Sequence, residues 1–262
     1  MALSPESPST AVDRAITILE AAAERRDGLT NSEISRKLAI PKSSASYILR
    51  TLERRGFLRR NRETGRYRLG LKVLSLGRDV LASLNIGEMA QPFMSSLVER
   101  VRMTSHLAVL DQGEAVYVEK VEASGFFKVN TWVGRRMFVH STSVGKVLVA
   151  WMPRPEVEAI LREKGLKKRT PRTITSQGRF FAELERVRAH GYAVDDEENS
   201  LGARCVAAPV FDMLGNVEFA LGISGTVSQM DDDTLPRVVE HLKDTARRIS
   251  RQIQRVGPGG PG

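Results

Sequence analysis

From Thr10 to Arg26 apolar residues recur at Ala11, Ala15, Ile18, Leu19 and Ala22. That is the spacing of one helix face, and Gly28 follows as a stop signal. Thr30 opens a second helix. Thr30-x-x-Glu33 fits a capping box, in which the two residues satisfy each other's free backbone amides, and Ile34 and Leu38 supply a buried stripe. This helix ends before Pro41, because the residue preceding a proline avoids the α region. A third helix begins at Pro41 or Lys42 and ends at Gly56. It carries Ala45, Ile48, Leu49 and Leu52 on one side. Rotation by about 100° per residue sets Ser43, Tyr47, Arg50 and Arg54 on the other. FLRRNRETGRYRLG, from Phe57 to Gly70, then alternates with period two around Gly65, which predicts a short β-hairpin with cationic sides.

The stretch from Leu71 to Leu84 is helical in period but apolar on most sides, which predicts packing against a partner chain. A boundary falls near Asn85 to Gly87. Beyond it the pattern predicts a helix over 88–103 and strands over 105–110, 114–121 and 128–133. Helices follow over 143–152, 154–164 and 177–190, then strands over 192–195, 206–211 and 217–224. A closing helix over 231–255 has acids at its start and arginines at its end, as the helix macrodipole favours. Such an order describes an α+β domain, a mixed sheet with flanking helices.

Charge changes the picture of the first part. Net charge is +9 over 262 residues. Residues 1–85 hold 16 Lys and Arg against 9 Asp and Glu, whereas the rest holds 24 against 22. One third of the chain therefore carries most of the excess, and it favours an anionic polymer as partner. A single cysteine, Cys205, excludes an intramolecular disulfide and suits a reducing cytoplasm. The N-terminal residues lack the apolar core of a signal peptide, and no apolar run is long enough for a membrane span. The Ser- and Pro-rich residues 1–10 read as a flexible lead-in, and 256–262 as a disordered tail.

Two helices joined by a short turn, the second with an apolar back and a polar front, make a helix-turn-helix. The hairpin behind it makes a wing. Lys42, Ser43, Ser44, Tyr47 and Arg50 on the front of the third helix are candidates for the major groove of double-stranded DNA. Arg59, Arg60, Arg62, Arg66 and Arg68 are candidates for phosphates or the minor groove. Between Arg54 and Lys72 the only acid is Glu63, which a merely solvated face would not require.

These stretches, with HSTSVGKVLVA from His140 and GYAVDDEENSLGARCVAAPVFDMLGNVEFALGISG from Gly191, resemble the IclR family of bacterial transcriptional regulators. The resemblance spans about residues 10–255. It implies a winged helix-turn-helix over 11–70, a linker helix over 71–86, and a GAF-like α+β domain over 87–255 that binds a small effector. It implies dimers, pairing further into dimers of dimers, on short pseudo-palindromic operators, and often an organic or aromatic acid as effector. The family's effector pocket maps here onto Ser143 and Val144, Asp195 and Cys205, and Gly222 and Ser224, with Phe126 and Val129 on an apolar wall. Gly222 stands where some relatives carry a hydroxyl, which leaves more room for a larger effector.

Other chemistries fit less well. Four scattered histidines without HxxxH or CxxC spacing predict no metal site. STSVGK lacks the spacing of a phosphate-binding loop, so no cofactor is expected. Its helix start can still hold a carboxylate through free amides. DDEENS admits a reading as paired catalytic carboxylates, and as an acidic loop. The expectation is an effector-responsive, cytoplasmic DNA-binding regulator and not an enzyme. The alternatives are a DNA-tethered enzyme and a constitutive DNA-binding protein whose second domain only oligomerises.

Overall fold

The computed structural model describes residues 10–83, 86–123 and 130–256. The lead-in over 1–9, the tail from 257 onward, and the candidate pocket residues Phe126 and Val129 lie outside the described residues. The chain divides into two compact units, Met1–Leu84 and Asn85–Gly262.

The first unit contains α1 (Thr10–Ala23), α2 (Asn31–Leu38), α3 (Lys42–Arg54), β1 (Leu58–Arg60), β2 (Tyr67–Leu69) and α4 (Leu71–Ser83). The capping box at α2 is present in full. Thr30 accepts from the Glu33 amide, and Glu33 accepts from the Thr30 amide. The core joins Ile18, Ile34, Ala45, Leu49, Leu58 and Tyr67, so all three helices and the hairpin bury one face together. Ile48 and Leu52 pack partly against it. β1 and β2 form the expected hairpin, and the Tyr67 amide donates to the Leu29 carbonyl at 2.8 Å, tying the hairpin to the chain just before α2. α4 leaves Leu71 81% and Leu74 70% exposed, so within one chain its apolar side is uncovered.

The second unit opens with α5 (Ile86–Val101), β3 (Thr104–Asp111), β4 (Glu114–Val121), β5 (Arg136–Phe138), α6 (Ser143–Ala150), α7 (Arg154–Lys164) and α8 (Gln177–His190). It closes with β6 (Ala193–Asp196), β7 (Ala203–Phe211), β8 (Val217–Thr226) and α9 (Leu235–Val256). The strands form one antiparallel sheet in the order β5-β4-β3-β8-β7-β6. α5 and α9 pack against each other and against the sheet, and α6 packs on β7, β8 and β3 with α8 behind it. Strand residues therefore alternate between two sets of helices. Ala207 and Ala220 belong to the cluster that holds Val144, Val147 and Leu148 of α6.

The sheet is antiparallel throughout and not mixed as the element order suggested, and two elements depart furthest from the sequence expectation. The strand expected over 128–133 is not found in its described part: 130–132 are irregular and Val133–Gly134 form a turn. Gly134 has φ +88, and Trp132 and Val133 are exposed, so this apolar pair marks a bend; the edge strand follows it as β5. The acids Asp231 to Asp233 precede α9 instead of opening it. Asp231 holds the turn, accepting from the Thr234 amide at 2.8 Å.

Candidate functional site

The polar face of α3 is exposed as its period predicts. Lys42, Ser43, Tyr47 and Arg50 are exposed, with Tyr47 at 70%, and Ser44 is half-buried. Tyr47, Arg50, Thr51 and Arg54 line a shallow depression on this face. On the hairpin, Arg59 stands directly opposite Arg68, and Arg60 opposite Tyr67. Like charges placed opposite each other on a ladder are destabilising. Leu58 and Tyr67 point into the core, so alternation sends the Arg59–Arg68 pair outward. Arg60 lies over the Tyr67 ring, 5.7 Å from its centroid, and Arg62 is exposed in the turn.

Arg66 differs from the other wing arginines. Its guanidinium donates to the Gly28 carbonyl at 2.9 Å and to both oxygens of Glu33 at 3.1 and 3.3 Å. It braces the wing against the start of α2 and does not stand free among the phosphate candidates. Bonds from Thr30 come first, with the Arg66 charge adding to them, in holding the Glu33 carboxyl below the usual range.

In the second unit, a cavity of about 480 Å³ lies where the start of α6 meets the sheet. Its construction follows from strand register. Asp195 pairs with Cys205, and Cys205 pairs with Ser224, so three adjacent strands bring these side chains into one row. Gly222, two residues back on β8, pairs with His106 of β3. Ser143 and Val144 close the cavity from α6. Six sequence-predicted residues, Ser143, Val144, Asp195, Cys205, Gly222 and Ser224, thus line one space.

α6 is placed by close backbone approach. A Cβ on Gly145 would stand 2.4 Å from the Cα of Val139, so only glycine lets the helix start so near the preceding loop. Thr142 caps it, accepting from the Gly145 amide at 3.2 Å. The amides of Ser143 and Val144, which a helix start cannot satisfy internally, have no partner among the described residues. At Gly222 the expectation of spare room is corrected. A Cβ there would meet Val144 Cγ1 at 2.8 Å, so the valine takes up space that the missing side chain leaves.

Sequence reasoning missed several members of this wall. His106 is 1% exposed; its Nε2 lies 2.7 Å from Thr131 Oγ1, its Nδ1 3.5 Å from Ser224 Oγ, and its ring stacks on Tyr117 at 4.4 Å. Burial, with Lys120 and Arg135 nearby, lowers its pKa to about 3, so it is neutral. Period-two alternation from the buried Ala108 puts His106 on the α6 side. Burial also raises the Tyr117 hydroxyl above its ordinary value. Cys205 borders the cavity, and burial, reinforced by Asp195, pushes its thiol up to about 12, which disqualifies it as a nucleophile at neutral pH.

Asp195 is 2% exposed. Its Oδ1 accepts from the amides of Glu198 and Asn199 at 2.8 and 3.1 Å, so it shapes the following loop as well as lining the cavity. Burial raises its pKa to about 7 against these donors, with the Glu198 charge adding to the rise. Beneath that loop Lys146 of α6 is fully buried, donating to Glu198 at 2.5 Å, to the Val194 carbonyl at 2.7 Å and to Glu183 at 3.1 Å. The loop that reads as paired carboxylates is thereby pinned from below, and Glu197 and Glu198 also give their carbonyls to Thr170 and Thr173. No cluster of three or more metal-ligating side chains occurs among the described residues, and no described helix is long and apolar enough to cross a membrane.

A winged helix-turn-helix joined to an α+β unit with a cavity lined by both polar and apolar side chains defines a DNA-binding regulator with a small-molecule domain. Comparison with known proteins is specific. Residues 11–62 match the IclR helix-turn-helix domain, and residues 78–251 match the family described as bacterial transcriptional regulator IclR C-terminal. The chain is 36% identical over 242 residues to the HTH-type transcriptional regulator XynR of Escherichia coli K12, covering 92% of this chain and 96% of that one. It is 35% identical over 250 residues to KdgR of the same organism, covering 95% and 94%. Among solved structures, the Thermotoga maritima IclR shares 32% identity at a TM-score of 0.76, over 93% of this chain and 98% of that one. An IclR homolog from Microbacterium hydrocarbonoxydans, complexed with 4-hydroxybenzoate, shares 26% identity at a TM-score of 0.82, over 94% and 100%. The protein belongs to the IclR family of transcriptional regulators, and it is a DNA-binding regulator, not an enzyme.

Proposed function

We propose that this regulator binds a pseudo-palindromic operator in the cytoplasm as at least a dimer, and that a hydroxylated organic acid in the α6 cavity shifts its operator affinity. Lys42, Ser43, Tyr47 and Arg50, with Ser44 at their edge, read base edges, and Arg59, Arg60, Arg62 and Arg68 meet phosphates. The Arg59–Arg68 pairing carries the wing assignment, because a polyanion relieves a repulsion the isolated hairpin must bear. The exposed Leu71 and Leu74 of α4 seat a second copy, and a two-fold protein reads a two-fold site.

The cavity lining carries the effector assignment. The free amides of Ser143 and Val144, with the Ser143 and Ser224 hydroxyls, suit a carboxylate. Asp195 accepts from an effector hydroxyl, or shares a proton with the acid. The described wall combines apolar surface from Tyr117, Met137, Val144, Leu201 and Ala203 with convergent polar groups, which suits an acid that carries both an apolar body and a hydroxyl. Phe126 and Val129 belong to this reading through the family resemblance alone. A phenolic acid such as the 4-hydroxybenzoate held by the Microbacterium homolog is one member of the class. The effector acts by preferring one arrangement of the dimer and shifting its population.

The test measures operator affinity with and without candidate acids for wild type, Asp195→Ala and Ser224→Ala. Each lost bond to a charged group is worth about 1.5–3 kcal/mol. Both variants should therefore need roughly ten- to hundredfold more effector, with operator affinity retained in its absence. A wild-type response in both variants moves the effector site elsewhere. An operator affinity that no candidate acid changes favours the constitutive alternative.

A further inference from the structure

Among the described residues, the cavity's cation has no counter-charge. Arg135 sits in the turn before β5, fixed by its backbone: its carbonyl accepts from the Tyr117 amide at 3.1 Å, and its amide donates to the Trp132 carbonyl at 3.1 Å. Its guanidinium lies 4.9 Å from the Trp132 ring centroid, and Nη1 donates to the Asn130 carbonyl. The Nε and Nη2 edge has no partner among the described residues, and no carboxylate pairs with it there. Its neighbour Arg136 is the contrast, ion-paired to Asp111 and to Glu114. Both arginines are held by the same short stretch, yet only Arg135 lines the cavity.

The cavity's acid is not ion-paired with this charge. Asp195 gives one oxygen to two backbone amides, and burial holds much of it protonated near neutral pH. A half-buried cation in a concave wall raises the local concentration of anions. Its rigid fork favours a carboxylate or phosphate. The start of α6 is a second, separate position of the same sign. Val144 approaches Gly222 on β8, whereas Arg135 is bonded to Tyr117 on β4. β3 lies between those strands, so the strands that carry the two anchors are roughly 10 Å apart at about 4.8 Å per strand. Two positions of one sign on different strands favour a ligand with an anionic group for each.

We propose that Arg135 is a specificity-determining residue for the effector: it holds a second anionic group, so the cavity selects acids with two anionic groups, two carboxylates or a carboxylate and a phosphate, at opposite ends. This rests on the reading of the cavity as the effector site. The volume of about 480 Å³ is more than the smallest monocarboxylic acids fill.

The experiment titrates the full-length protein with linear dicarboxylates of increasing length, the monocarboxylates of matched length, and a phosphorylated hydroxy acid, following binding by calorimetry and thermal shift. Wild type should bind the best-fitting dianion at least tenfold more tightly than its monoanionic match. Arg135→Gln should bring the dianion down to the monoanion's level and leave the monoanion unchanged; Arg135→Lys should keep part of the preference. Unliganded melting temperatures of the variants serve as the folding control. Preference for the phosphorylated acid over every dicarboxylate assigns the second group as phosphate; the reverse assigns it as carboxylate. Equal affinities for matched mono- and dianions in wild type, or a preference that survives Arg135→Gln, overturns the proposal while leaving the effector site in place. Failure of every acid to bind wild type overturns both.

Discussion

The two units handle charge in opposite ways. In the first, Lys42, Arg50, Arg59, Arg62 and Arg68 stand exposed, with no carboxylate paired to them among the described residues. In the second, Lys146, Asp195, Glu198 and His106 are buried, and the fold itself supplies their partners. A polyanion of variable sequence is met by solvated, mobile cations whose Coulomb reach is enough. A small ligand offers few contacts, so each group that meets it must be held in place and in one protonation state beforehand. Charges of the first kind cost the fold little and are cheap to remove; those of the second kind are structural as well as functional.

The largest effect should follow from breaking the buried cation. Lys146→Met leaves Glu198 and Glu183 facing an apolar side chain, and removal of one partner of a buried pair costs about 3–5 kcal/mol. Denaturant unfolding should show that loss, and Glu198→Gln in the same chain should return part of it. A Lys146→Met variant within about 0.5 kcal/mol of wild type would put this lysine with the surface cations of the first unit.

Protonation gives a subtler test. Asp195 binds a proton in the fold up to about pH 7 but unfolded only near its ordinary 3.8, so its contribution falls as pH rises between those values. His106 is neutral in the fold down to about 3 and unfolded protonates near 6.5, so its contribution falls as pH drops between 6.5 and 3. From about pH 4 to 6.5 the two slopes oppose each other. Asp195→Asn should leave stability that falls on acidification in this window, and His106→Gln stability that rises. Urea midpoints against pH read the signs directly, and parallel curves for the two variants would contradict the assignment.

On the DNA-facing side, Tyr47→Ala should weaken operator binding by about 1–3 kcal/mol and random DNA by less. Equal losses in gel shift would remove Tyr47 from base readout. The smallest effects belong to the wing. Arg59→Gln or Arg68→Gln should lower affinity for all sequences alike and reduce the salt slope by about one unit. Relief of the facing pair should also stabilise the domain by a few tenths of a kcal/mol. Arg66→Gln should do the reverse, lowering stability with little change in salt slope, because its charge is spent on Glu33. If Arg66 behaves like Arg59, the division between braced and free arginines is wrong.

What could be read before folding follows the same division. The face of α3, the hairpin and the capping box depend on residues a few positions apart, and period alone places them. Asp195, Cys205 and Ser224 were reached through family resemblance, with strand spacing making their convergence reasonable. Arg66 looks like its neighbours until Glu33, 33 residues away, is set beside it. Lys146 looks like a solvated lysine because Glu183 and Glu198 lie 37 and 52 residues downstream. β5 is three residues long and too short to show a period. His106 and Arg135 depend on which sheet face meets the start of α6, a matter of packing that no local pattern records.

Glu33 draws one more consequence from the first unit. The same carboxylate closes the cap of α2 and grips the guanidinium of the wing. One carboxylate therefore ties the helix pair to the hairpin, and its lowered pKa keeps it ionised further into acid than a free glutamate. On the proposed reading, with α3 in a groove and the wing on the flanking backbone, such a frame measures span as well as letters. A site with the right bases but a groove too wide for the frame is then refused on its dimensions.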